Sequence, residues 1–224
     1  IVTARHAAEK QEAATGAFIP KQIRILTADL HELPAELVGD SAFMDVVVYR
    51  IVQQHRGKVQ AAVTFATADP LPGQEVFTFG HLGNTSTFLQ TVDGRLLQAD
   101  VAACSGNSGG GLFNEKGEVV GIMHAIIQTE RDDSTARCSR MAFAIPGVLA
   151  ERIVNAALEG KPLTFSRMGI QMMAVRDGTR WRMAVKDVGE PAKSAGLQKH
   201  DVIIAVDDTD IDDAAHLKNY LIER

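Results

Sequence analysis

The residues best suited to chemistry lie in Cys104-Ser105-Gly106-Asn107-Ser108-Gly109-Gly110-Gly111-Leu112, a glycine-dense turn running into an apolar strand. Glycine permits the positive φ and close backbone approach of a tight turn, and one serine, Ser108, is left in its middle. If the turn aims backbone N–H groups at one point beside the Ser108 hydroxyl, it supplies a nucleophile and half an oxyanion hole. A plain hairpin loop has the same composition. A phosphate cradle is disfavoured, because no lysine and helix follow the glycines.

A serine hydroxyl needs a base to take its proton, and the base needs a carboxylate to orient it. Ile1-Val2-Thr3-Ala4-Arg5-His6 is a β-favouring run that ends in a histidine. Strong helix formers from Ala7 to Ala14 predict a helix closed by Gly16 and Pro20, which puts His6 at a strand-to-helix corner. Asp45 stands immediately before Val46-Val47-Val48-Tyr49-Arg50-Ile51-Val52, a run apolar enough to be buried on both faces. A carboxylate at the mouth of such a strand is partly desolvated, and an imidazole N–H would satisfy it. Asp29 and Asp40 also lie between His6 and Ser108, but both read as residues of solvated turns. The other histidines, His31, His55, His81, His124, His200 and His216, show no metal-ligand spacing. His124 lies in the strand after the glycine turn, where a specificity role and a packed, hydrogen-bonded role are both open.

Short strands must hold these residues. Strands are predicted over 22–27, 37–38, 46–52, 60–66, 75–79, 88–92, 95–99, 111–113, 118–127 and 138–145, with glycine, proline and asparagine turns between them. Such a succession predicts an all-β barrel or sandwich, followed by a helix over 147–158 that starts after Pro146. The 224 residues, 46% hydrophobic and 23% charged, suit one large or two small globular domains. A net charge of −5 without a basic patch speaks against nucleic acid as a partner. No apolar run reaches transmembrane length. Ile1 already sits inside a strand, so earlier segments of a longer chain are expected.

These motifs, in the order His, Asp, Ser, resemble those of trypsin-like serine proteases of the HtrA (Deg) group with a PDZ domain behind them. Residues 1–6 resemble the strand ending in the catalytic histidine, and Asp45-Val46-Val47-Val48 the segment of the catalytic aspartate. Gly106-Asn107-Ser108-Gly109-Gly110 resembles the nucleophile motif in the group's Asn form. Met141-Ala142-Phe143-Ala144-Ile145-Pro146 resembles the last barrel strand. The resemblance implies a chymotrypsin-like double six-stranded β-barrel, lacking its N-terminal strands, over residues 1–160. It implies His6 as base, Asp45 as its orienter, Ser108 as nucleophile, and the N–H groups of Gly106 and Ser108 as the oxyanion hole. The specificity pocket falls at Ala103, Ala125 and Ile127. No aspartate is available there, which predicts cleavage after small or medium aliphatic residues.

Residues 161–224 resemble a PDZ domain truncated before its closing strand. Met168, Gly169 and Ile170 match the carboxylate-binding loop, 189–197 a short helix, 201–207 the central strand and 214–222 the second helix. The groove between a strand at 169–173 and that helix would take peptide C-termini or extended segments by β-augmentation. His200-Asp201 replaces the usual Gly-Asp. The implied function is endoproteolysis of unfolded or exposed polypeptides in protein quality control. The implied partners are those polypeptides and a homo-oligomer, trimeric by resemblance; no metal or organic cofactor is implied. The implied location is periplasmic or secreted, with a membrane anchor in a missing N-terminal segment.

There are departures from the group. Residues 79–84 lack its Asn-Pro-Phe-Gly pattern. Secreted chymotrypsin-like enzymes carry a disulfide joining segments placed like those of Cys104 and Cys138, whereas HtrA proteases generally lack it. A disulfide in an oxidising compartment and two buried thiols are both open. So are two other functions: a latent peptide-binding or chaperone protein, and a narrow-specificity processing protease of the same clan.

Overall fold

The computed structural model describes residues 1–11, 18–20, 23–27, 29–41, 44–59, 61–79, 96–104, 106–126, 138–161, 166, 168–211 and 213–223. The chain divides into two compact units, Ile1–Leu163 and Thr164–Arg224.

In the first unit β1 (Val2–Ala4) leads into a single helical turn, α1 (Arg5–Ala8). β2 (Glu9–Gln11), β3 (Phe18–Pro20), β4 (Ile23–Leu26), β5 (Glu32–Ser41) and β6 (Val46–Ile51) follow. After a 3-10 turn come β7 (Phe77–Thr78), β8 (Leu97–Cys104), β9 (Gly111–Phe113), β10 (Val119–Ile126) and β11 (Cys138–Pro146), then α2 (Gly147–Leu158). One antiparallel sheet has the order β1-β6-β5-β4, and a second the order β7-β9-β10-β11-β8.

The structure departs from several of the elements expected from the sequence. The helix predicted over 7–14 stops at Ala8, and Glu9–Gln11 pairs instead with Phe18–Pro20 in a small separate ladder. Helix propensity is a weak preference, and cross-strand hydrogen bonds override it. The short strand at 37–38 is the middle of the ten-residue β5, with a bulge between Leu37 and Gly39. Asp40 is therefore no turn residue: it lies opposite Val47 and pairs with Arg5 at 3.0 Å. The strand predicted over 60–66 is reduced to one bridge, Phe65 to Val119. The strand predicted over 88–92 lies outside the described residues.

β6 buries both faces over Val46, Val47, Val48 and Tyr49, as that apolar stretch requires, and exposes only Arg50. The second sheet's core is built of small residues, Ala99, Ala103, Ala142 and Ala144, around Leu112, Val120 and Met123. α2 buries Leu149, Ala150 and Ile153 and packs on both sheets, against β5 and β6 of the first and β10 and β11 of the second. Close approach depends on glycine: a Cβ at Gly39 would lie 2.9 Å from the Ala157 Cβ, and one at Gly147 2.6 Å from the Val119 carbonyl. The sheets are thereby held in one mutual placement, which fixes what their facing loops bring together. In the second sheet Cys104 and Cys138 face each other across β8 and β11 and are joined by a disulfide.

The second unit holds β12 (Ile170–Asp177), β13 (Arg180–Val188), β14 (Val202–Ile203), β15 (Ala205–Val206), β16 (Thr209–Asp210) and α3 (Ala214–Glu223). Its sheet order is β12-β13-β14, with β15 and β16 paired separately, so the strand expected over 201–207 is broken. The short helix expected over 189–197 is a run of turns, with Lys193 N–H on the Gly189 carbonyl at 3.0 Å and Ala195 N–H on that of Pro191 at 3.1 Å. Val185, Ile203, Ile211 and Leu217 form the core.

Candidate active site

Asp45 sits at the entry to β6 with φ +53, a left-handed conformation that aspartate tolerates better than most residues. Its carbonyl accepts the Arg5 N–H at 2.8 Å, and its Oδ1 accepts the His6 N–H at 3.0 Å. Oδ2 takes two rings: His6 Nδ1 at 2.5 Å and His124 Nδ1 at 2.9 Å. The residue is only 1% exposed. Burial, the largest influence, pushes its pKa up. The hydrogen bonds from His124 and His6, the His6 charge and the His6 backbone N–H together outweigh burial and bring the pKa down to about 2. An ionised carboxylate only accepts, so both Nδ1 atoms carry a proton. For His6 this leaves Nε2 as the basic nitrogen.

The Ser108 turn is tied down by its own backbone. Asn107 N–H bonds the Cys104 carbonyl at 3.1 Å, Gly109 N–H that of Met123 at 2.7 Å, and Gly110 N–H that of Asn107 at 3.0 Å. Gly106 and Gly109 have φ +107 and +83. Among the described residues, the N–H groups of Gly106 and Ser108 have no backbone acceptor. Gly109 also docks the turn on the histidine strand, since a Cβ there would lie 1.9 Å from Thr3 Oγ1 and 2.8 Å from the Ala4 nitrogen. Ser108 is thus carried against the end of β1, where α1 begins with Arg5 and His6. Its hydroxyl donates to the His124 carbonyl at 3.5 Å, a long bond, and among the described residues no hydrogen bond joins it directly to His6.

The structure therefore brings His6 and Asp45 into contact and links Ser108 to them through His124. The bond from His124 to Asp45 was not foreseen in the sequence. Its signal was a histidine inside the otherwise apolar β10, since a buried imidazole requires a partner. One ligand atom from each of His6, Asp45 and His124 lies within 4.8 Å of the others, so among the described residues these are the side chains that could hold a metal ion. The hydrogen bonds among them already occupy Nδ1 of both rings, and an ion bound there would displace those protons.

Of the residues expected to form a specificity pocket, Ala103 is fully buried in the second sheet's core, Ala125 is half-buried, and Ile127 lies outside the described residues. In the second unit Gly169 has φ +73, and its carbonyl accepts the Gly189 N–H at 2.7 Å. Met168 and Ile170 pack against that unit's core.

In fold the chain is similar to the HtrA-type protease AlgW, solved with a decapeptide. The TM-score is 0.70 at 24% identity, covering 99% of this chain and 70% of that one. Such neighbours fit the chymotrypsin-like architecture expected of residues 1–160. Residues 1–122 match the trypsin-like peptidase domain, and the chain belongs to that family. It is 28% identical over 234 residues to the serine protease Do-like HtrA of Lactococcus lactis subsp. lactis, with 88% of this chain and 56% of the relative covered. It is 25% identical over 225 residues to the "Probable periplasmic serine endoprotease DegP-like" of Chlamydia trachomatis, covering 96% of this chain and 42% of that one. The chain thus spans about half the length of the curated relatives it matches.

Proposed function

We propose that this chain is a serine endopeptidase that hydrolyses peptide bonds in unfolded or exposed polypeptide segments, with Ser108, His6 and Asp45 as its triad. The observation that carries this reading is the Asp45–His6 bond at 2.5 Å, built at the end of the strand on which the Ser108 turn docks. Ser108 Oγ attacks the scissile carbonyl carbon as His6 Nε2 takes the hydroxyl proton. The oxyanion is met by the N–H groups of Gly106 and Ser108, a donor pair of the kind worth about 10²–10³ in turnover for each member. Collapse breaks the C–N bond, and His6 passes its proton to the leaving amine. His6 then takes a proton from a water whose oxygen attacks the acyl carbon, and returns it to Ser108 Oγ as the C–Oγ bond breaks and the acid is released. Asp45 keeps Nδ1 protonated throughout and stabilises the imidazolium.

Ala103, Ala125 and Ile127 are assigned to the specificity pocket, which favours small or medium aliphatic side chains. The second unit is assigned as a PDZ domain that takes peptides along β12, which is an edge strand of its sheet. Protein quality control and a trimeric assembly are assigned with the resemblance to HtrA proteases; a periplasmic or secreted location is supported by the name of the DegP-like relative and by a disulfide that suits an oxidising compartment. A second reading, a latent peptide-binding protein, draws on the Ser108 hydroxyl bonding the His124 carbonyl instead of His6.

The test is incubation of the full chain with a denatured polypeptide and mass spectrometry of the products. Cuts after Ala, Val, Ile or Leu by wild type, and none by Ser108→Ala, are expected. Binding of the polypeptide without cleavage would favour the latent reading.

A further inference from the structure

We propose that His124 is a positioning residue of the Ser108 centre, whose imidazole holds the Asp45 carboxylate in the orientation that presents the His6 ring to Ser108. The inference rests on the peptidase reading given above.

One residue touches all three groups. The His124 Nδ1–H donates to Asp45 Oδ2 at 2.9 Å. Its ring meets His6 edge-on, with centroids 5.7 Å apart and planes at 80°. Its carbonyl accepts the Ser108 hydroxyl at 3.5 Å. The backbone explains how one side chain reaches so far. β10 and β11 pair in step as far as Met123 opposite Ala144 and resume at Ala125 opposite Phe143, so His124 is the extra residue of a bulge. A bulge re-aims a side chain off the strand's alternation. Met123 fills the second sheet's core, while His124, buried at 5% exposure, turns to the carboxylate.

The clamp has a definite mechanical task. The His6 backbone N–H holds Oδ1, and rotation of the carboxylate about its Cβ–Cγ bond would break that contact and swing both oxygens. That rotation would carry Oδ2 away from His6 Nδ1. A second donor on Oδ2, coming from the opposite sheet, resists it. Because β10 also supplies the carbonyl under Ser108, the bulge sets acid, base and nucleophile from one point. A hydrogen bond to a charged group, converted at a factor of ten per 1.4 kcal/mol, corresponds to about tenfold to a hundredfold in rate if the triad geometry depends on it.

The experiment compares full-chain wild type, His124→Leu and His124→Asn. Its readouts are the second-order rate of labelling by a fluorophosphonate, and kcat and KM on an aliphatic-P1 peptide. Leucine fills the space without a donor, whereas asparagine places an amide N–H where Nδ1 was. The leucine variant is expected to label and turn over about tenfold to a hundredfold more slowly, with the loss in kcat and not KM, and asparagine is expected to recover most of it. Leucine labelling as fast as wild type or faster, or asparagine no better than leucine, overturns the proposal. Should His124→Leu fail to fold, 15N NMR of the histidine rings in Ser108→Ala decides: a protonated His124 Nδ1 is expected, and an unprotonated one overturns it. A wild-type chain that does not label at all sinks the peptidase reading itself, an outcome distinct from equal labelling of wild type and variant.

Discussion

Replacing Gly109 by alanine tests the join between the Ser108 turn and the strand that leads into His6. The new Cβ would lie 1.9 Å from Thr3 Oγ1 and 2.8 Å from the Ala4 nitrogen, where ordinary contacts begin near 3.4 Å. The turn and β1 must therefore part by about 1.5 Å, or the threonine must turn away. The backbone there has φ +83, which costs an alanine about 1 kcal/mol more, and overpacking typically adds about 1–3 kcal/mol. Misplacement of reacting groups by about 1 Å lowers rates by about 10². Gly109→Ala should thus label with a fluorophosphonate at least about a hundredfold more slowly while keeping its β-sheet circular dichroism. Thr3→Ala removes the nearest obstacle but leaves the Ala4 nitrogen in place. Added to Gly109→Ala, it should restore about tenfold, a coupling of about 1.4 kcal/mol that two independent sites would not give. A single variant that labels like wild type, or strictly additive effects, would refute the docking argument.

Three further outcomes are expected. The Asp45 carboxyl, held at about 2 against an ordinary 3.8, contributes stability above pH 3.8 that is lost as pH falls through about 2, ~2 kcal/mol in all. Wild type should therefore lose that much more stability than Asp45→Asn between pH 5 and 2, and parallel thermal-melting profiles would contradict it. Thiol titration of the denatured, unreduced chain should find no free thiol, and two thiols would contradict the Cys104–Cys138 bond. Gly169→Ala puts a Cβ 2.1 Å from the Glu190 carbonyl oxygen at φ +73, so hydrogen exchange in β12 and β13 should quicken; unchanged protection would show that this contact is not needed.

The parts of the site that were legible in the sequence are those set by local chemistry. Ser108 stands out among glycines whose positive φ the turn requires, and Asp45 is marked by the apolar strand behind it. α2 was readable to the residue, because Pro146 and Gly160 bound it. What escaped depends on pairing at a distance. Nothing in Glu9-Lys10-Gln11 announces a strand until Phe18–Pro20 lies beside it. Asp40 looks like a turn residue after Gly39, yet that glycine is there to admit Ala157 of α2, and the strand runs on. His124 could be marked as a buried polar residue needing a partner, but not as a partner of Asp45. The bulge that turns it arises from the register of β10 on β11, and a single-residue shift of register leaves no trace in composition.

The most direct test of the central claim is labelling of the full chain by a fluorophosphonate, wild type beside Ser108→Ala and His6→Ala, with the adduct located by peptide mapping. One phosphonyl group on Ser108 of wild type, and none on either variant, is what an assembled triad predicts. Labelling that persists in Ser108→Ala, or a folded wild-type chain that takes no label, would contradict it.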